Sequence, residues 1–84
     1  MNLRVLYFAS LRETLGCSSE QCELPATVGT TGELRAYLAQ RDEPWPALAT
    51  VKNLRVAVNQ TMVGMDASLK AGDEVAFFPP VTGG

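Results

Sequence analysis

Leu3-Arg4-Val5-Leu6-Tyr7-Phe8-Ala9 and Glu74-Val75-Ala76-Phe77-Phe78 are the most apolar strand-like runs in the sequence, and how they pair decides the fold. In the first, Leu3, Val5 and Tyr7 fall on one face of an extended chain, with Leu6 and Phe8 on the other. A strand that is apolar on both faces sits inside a sheet or offers its second face to a partner. A central first strand over residues 3–9 is therefore expected. The second run follows the turn chemistry of Lys70-Ala71-Gly72-Asp73 and is expected as the last strand.

Between these runs, Ser10-Leu11-Arg12-Glu13 has capping-box spacing and Gly16 supplies a stop, which predicts a short helix over 11–15. Glu20, Cys22 and Leu24 then alternate with Gln21 and Glu23 until Pro25 removes a backbone donor, the pattern of an edge strand. Thr30 stands three residues before Glu33 in a second capping-box arrangement, and Leu34, Tyr37, Leu38 and Arg41 follow at helical spacing. The main helix is expected over 31–41. Pro44-Trp45-Pro46 breaks it and opens a loop, with Trp45 read as a lid over the core. Leu54, Val56 and Val58 alternate with Arg55 and Ala57 as a half-buried strand. Asn59-Gln60-Thr61 reads as a turn and Met62-Val63 as a short returning strand. If the two most apolar strands pair in parallel at the sheet centre, the main helix packs across one face and an α+β roll results.

A chain of 84 residues has room for one core, and 46% hydrophobic residues can fill it. Seven basic residues against nine acidic give a net charge of -2, and the basic ones are dispersed. Nucleic acid selects a clustered positive footprint, so that class of partner is excluded. The first residues lack the pattern of a signal peptide, and no run approaches the ~20 apolar residues of a membrane span. A cytoplasmic protein without a membrane partner is expected. There is no histidine, P-loop or G-x-G-x-x-G, which removes His-dependent nucleophilic machinery and most zinc sites. Asp66, Asp73 and Glu74 read as solvated turn carboxylates and not as an acid–base pair. Cys17 and Cys22, four residues apart, match neither a redox nor a zinc pattern and read as ordinary thiols. No metal site is expected.

What remains is the ending, Phe77-Phe78-Pro79-Pro80-Val81-Thr82-Gly83-Gly84. Pro79 and Pro80 donate no ladder hydrogen bonds and hold φ near ~-65°, so the strand must stop there and the chain must leave extended. Four residues at ~3.3–3.6 Å each reach at most ~14 Å, enough to enter another protein's cleft. Gly83 and Gly84 lack Cβ atoms, so a narrow channel could close around them and deliver a terminal carboxylate to a buried centre. Such a carboxylate is inert until adenylation gives it a leaving group, after which the acyl group can pass to sulfur or to an amine.

This ending resembles that of the molybdopterin synthase small-subunit family. Ala57-Val58-Asn59-Gln60, Gly72-Asp73-Glu74-Val75-Ala76 and Val5-Leu6-Tyr7-Phe8-Ala9 with Leu11-Arg12-Glu13 fit the same family, so the resemblance spans nearly the whole chain. Residues 17–53 follow the pattern loosely, and nothing functional is carried onto them. The resemblance implies a ubiquitin-like β-grasp roll over residues 1–80, with a mixed sheet, one main helix across a face and a flexible protruding tail at 81–84. It implies a sulfur carrier whose Gly84, guarded by Gly83, becomes a glycyl adenylate and then a thiocarboxylate. That group would give its sulfur to cyclic pyranopterin monophosphate to build the molybdopterin dithiolene.

The implied partners are the large subunit of the synthase, in a heterotetramer of two large and two small subunits, an activating enzyme that uses ATP, and a sulfurtransferase. No cofactor is bound by the carrier itself, and the catalytic side chains belong to the large subunit. Docking is implied for Phe8, Met62 and Phe78, with Pro79, Pro80, Val81 and Thr82 leading to the reacting end. A carrier for thiamine or cysteine synthesis, a ubiquitin-like protein modifier joined through Gly84, and a non-covalent interaction module are the alternative readings.

Overall fold

A computed structural model describes residues 1–80. The strands are β1 (Asn2–Tyr7), β2 (Ser19–Glu23), β3 (Arg55–Val58), β4 (Thr61–Val63) and β5 (Glu74–Phe78). The helices are α1 (Ala9–Leu15), α2 (Thr31–Ala39) and α3 (Ala47–Thr50). The five strands form one sheet in the order β2-β1-β5-β3-β4. β1 and β5 pair in parallel, Val5 opposite Val75 and Tyr7 opposite Phe77, and every other pairing is antiparallel. The two most apolar runs thus lie side by side inside the sheet, and β2 is an edge strand as its polar alternation predicts.

The alternation in β1 divides the molecule. Leu3, Val5 and Tyr7 point into the core with Val56, Val75 and Phe77, where Leu34 and Leu38 of α2 and Leu48 of α3 cover them. Burying such side chains supplies about 1.5–3 kcal/mol each, the main force that presses the helices to this face. Trp45 does lie over the core: its ring meets that of Tyr7 edge-on at 5.3 Å, and the Arg41 guanidinium sits 4.5 Å above it. Arg41 also forks onto Glu20 at 2.8 and 2.9 Å, while the Tyr7 hydroxyl donates to Glu20 at 2.8 Å. The edge strand is thereby fastened to the end of α2.

Local rules account for most boundaries. Gly16 ends α1 at φ 68°, the left-handed conformation expected of a stop glycine. The Thr30 hydroxyl accepts the Glu33 amide at 3.1 Å, while the Glu33 carboxylate reaches past Thr30 to accept the Gly29 amide at 2.9 Å. Gly32 approaches the Met65 carbonyl so closely that a Cβ would sit 2.8 Å from its oxygen, so only glycine fits.

Four expectations need correction. β1 stops at Tyr7 and not Ala9. The Ser10 capping box does not form: α1 starts at Ala9, capped by Phe8 without a side-chain hydrogen bond, and Ala9 takes φ 53°. That turn is imposed from outside the helix, because the Phe8 amide is held by the Phe77 carbonyl at the end of β5. α2 ends at Ala39, two residues before Arg41, because the Gln40 and Arg41 amides close on the carbonyls three residues back and tighten the final turn. The segment after Trp45 is not all loop, since α3 forms there. Its last carbonyls are capped by Arg35, which donates to Leu48 and Val51 at 2.9 and 2.7 Å.

Candidate functional site: an apolar groove on the open sheet face

The face of the sheet away from the helices carries no covering element among the described residues. β-pairing places Leu6 opposite Ala76, Ala76 opposite Ala57, and Ala57 opposite Met62, so four apolar residues lie in register across four strands. The two central positions are alanines, and the sheet is therefore lowest there. Ala57 and Ala76 are buried without joining the main core. They floor a groove of about 370 Å³, walled by Phe8 and Phe78 on one side and by Gln60 and Glu74 on the other.

The structure brings together the three described side chains expected at a docking face. Phe8 is 42% exposed and Met62 53% exposed, and the half-buried Phe78 meets Phe8 with ring centroids 5.6 Å apart. Phe78 ends β5, and Pro79 and Pro80 follow it at once, both half-buried. The groove therefore adjoins the point where the chain leaves the sheet. Val81, Thr82, Gly83 and Gly84, also expected in the site, lie outside the described residues. Leu6, Ala57, Ala76 and Gln60 were not anticipated. Their signal was available in the alternation: Ala57 and Ala76 occupy outward positions where a solvated sheet would carry polar side chains.

The cysteines lie elsewhere. Cys22 is buried behind the Glu20–Arg41 pair; burial and then the Glu20 charge push its thiol up to about 11. Burial, followed by Glu20, also raises the Cys17 thiol. Neither favours the thiolate that sulfur chemistry requires. Among the described residues, no group of three or more His, Cys, Asp or Glu could hold a metal, and no helix is long and apolar enough to cross a membrane.

A mixed sheet wrapped over one long helix, with an open apolar face beside the last strand, defines a ubiquitin-like β-grasp protein. Residues 5–84 match the ThiS family, and the chain belongs to it. It is 44% identical over 82 residues to the molybdopterin synthase sulfur carrier subunit of Escherichia coli, covering 98% of this chain and 99% of that protein. Among solved structures it resembles small archaeal modifier protein 1 of Haloferax volcanii, with a TM-score of 0.76 at 26% identity and coverage of 95% and 98%. It also resembles a chain from the complex of subunits 1 and 2 of molybdopterin-converting factor from Helicobacter pylori, with a TM-score of 0.67 at 26% identity and both chains fully covered.

Proposed function

We propose that this chain is the sulfur carrier subunit of a molybdopterin synthase, with Gly84 as the reacting residue. The observation that carries the reading is the placement of the apolar groove, which adjoins the end of β5 just before the prolines that lead to residues 81–84. An exposed apolar patch on so small a domain is expensive to leave in water and suits a partner. The Helicobacter pylori complex pairs a chain of this fold with a second subunit, which supports a large-subunit partner here.

The chemistry divides between the proteins. In the activating enzyme, a Gly84 carboxylate oxygen attacks the α-phosphorus of ATP and expels pyrophosphate. The terminal sulfur of a persulfide on a sulfurtransferase then displaces AMP from the acyl carbon, and a thiol cleaves the resulting acyl disulfide, forming a new disulfide with the transferase sulfur and leaving a thiocarboxylate. In the large subunit, that sulfur bonds to a side-chain carbon of cyclic pyranopterin monophosphate as the C–O bond at that carbon breaks and its oxygen leaves, and water then cleaves the acyl link to regenerate the carboxylate. Nothing in these steps asks for a catalytic side chain from the carrier. Its groove binds and orients, and Gly83 lets a channel close around the backbone.

The test is reconstitution with the activating enzyme, ATP, a sulfur donor and the large subunit, followed by intact-mass spectrometry. The carrier should gain the mass of one oxygen replaced by sulfur and lose it on adding the pyranopterin. Gly83→Trp should keep the fold and stop one of these steps. A Gly83→Trp chain that supports normal dithiolene formation would end the reading. Recovery of Gly84 in isopeptide linkage to lysines, with no thiocarboxylate, would favour a protein modifier instead.

A further inference from the structure

The hairpin that carries Met62 is held by means unusual for so tight a turn. Val58 pairs with Thr61, leaving Asn59 and Gln60 as the two turn residues, both with positive φ, at 51° and 69°. Such turns favour Asn-Gly, because the second position also needs φ above zero. Here that position is Gln60, a non-glycine residue in a left-handed conformation that costs roughly 1–2 kcal/mol. Glycine would relieve the cost, but Gln60 walls the groove. Strain kept at a ligand-facing residue points from the outlier towards function.

A clasp opposes this strain. The Asn59 side-chain amide donates to one carboxylate oxygen of Asp73 at 2.9 Å, and the Lys70 amide donates to the other at 2.8 Å. The Asn59 side-chain carbonyl accepts the Glu74 amide at 3.0 Å, and the Asn59 amide donates to the Glu74 carbonyl at 2.8 Å. Asp73 is buried and hydrogen-bonded through both carboxylate oxygens, which corrects its reading as a solvated turn carboxylate, and its own carbonyl accepts the Arg4 amide at 3.0 Å. The turn of the β3–β4 hairpin is thus bolted to the start of β5 and, through it, to β1.

We propose that Asn59 and Asp73 are positioning residues for docking: their clasp fixes the hairpin so that Met62 and Gln60 stand at the correct distance from Phe8 and Phe78 across the alanine floor. The inference rests on the reading that this groove binds the large subunit. It assigns a role to the Asn59-Gln60 and Gly72-Asp73-Glu74 blocks, neither of which carries chemistry.

The test uses the full chain and its large subunit, with titration calorimetry for affinity and circular dichroism for melting. Asn59→Gly removes the side-chain clasp while easing the turn, so the fold should survive with a small change in melting temperature. Affinity for the large subunit should fall about tenfold, equivalent to about 1.4 kcal/mol. Asn59→Asp should set two carboxylates against each other and weaken binding similarly. Adding Asp73→Asn to that variant moves the charge across the clasp and restores all three side-chain hydrogen bonds, so affinity should return to within about threefold of wild type, less than one decade on the same scale. Gln60→Gly should raise the melting temperature and lower affinity. If the wild type binds and Asn59→Gly binds equally well, the clasp is architecture alone and the proposal fails. If the wild type does not bind the large subunit, the reading beneath it fails first.

Discussion

Replacing Phe8 by alanine separates docking from packing. A phenylalanine side chain has roughly 200 Å² to bury. With Phe8 42% exposed, a partner closing over it would cover about 80 Å² more. At ~25 cal/mol per Å² that contributes about 2 kcal/mol to binding, or about thirtyfold in affinity. Alanine retains a small part of the area, so the expected loss is about tenfold to thirtyfold. The free protein should notice less. Phe8 caps α1 through its backbone alone, and its ring meets that of Phe78 on the same open face. Calorimetric titration of wild type and Phe8→Ala into the large subunit, with melting curves on the same samples, gives both quantities. Unchanged affinity with a sharply lower melting temperature would refute the argument, because the ring would then be packing and the groove would not be the contact.

Other perturbations probe the rest of the molecule. Cys17→Ser combined with Cys22→Ala should leave sulfur transfer intact in the reconstituted assay, since neither thiol adjoins the groove; loss of transfer in a folded protein would reveal a relay. Glu20 titrates against two opposing influences: burial pushes its carboxyl up, but hydrogen bonds from Arg41 and Tyr7 outweigh it and hold the group below the usual carboxylate range. A depressed folded-state pKa contributes stability above the unfolded value and loses it as pH falls through the folded one. Acid melting scans should therefore fall less steeply for Glu20→Gln than for wild type below about pH 4.5, and parallel curves would contradict this. Arg35→Ala should cost about 1–2 kcal/mol by freeing the carbonyls that end α3, read as a lower midpoint in denaturant without loss of binding at the groove.

The sequence made the architecture legible where one residue's neighbours decide its state. Alternation located the sheet strands, Gly16 and Thr30 marked helix ends, and the two-faced character of Leu3–Ala9 placed that run inside the sheet. Features set by distant residues were hidden. The start of α1 is fixed by Phe77, and α3 depends on Arg35 to satisfy carbonyls that its own short length leaves open. Pro46 reads as a breaker after one helix, yet at φ -56° it also suits the start of the next. Phe8, Met62 and Phe78 were expected together through resemblance, and alternation marked Ala57 and Ala76 as outward-facing, whereas the assembly of the alanines into one floor and the Asn59–Asp73 clasp needed the strand register.

The parallel pairing of β1 with β5 has a consequence for the life of the chain. Its partners come from opposite ends of the described residues, so the loop-closure entropy must be met before the sheet gains its middle. The same pair brings together Leu6 of β1, Phe8 just beyond its end, and Ala76 and Phe78 of β5, all of which line the groove. A half-folded chain consequently has no recognition surface to show. Proteolysis or mutation that unzips this pair would lower the number of competent molecules rather than create a species that docks without delivering, so a cell would lose carrier without poisoning its synthase.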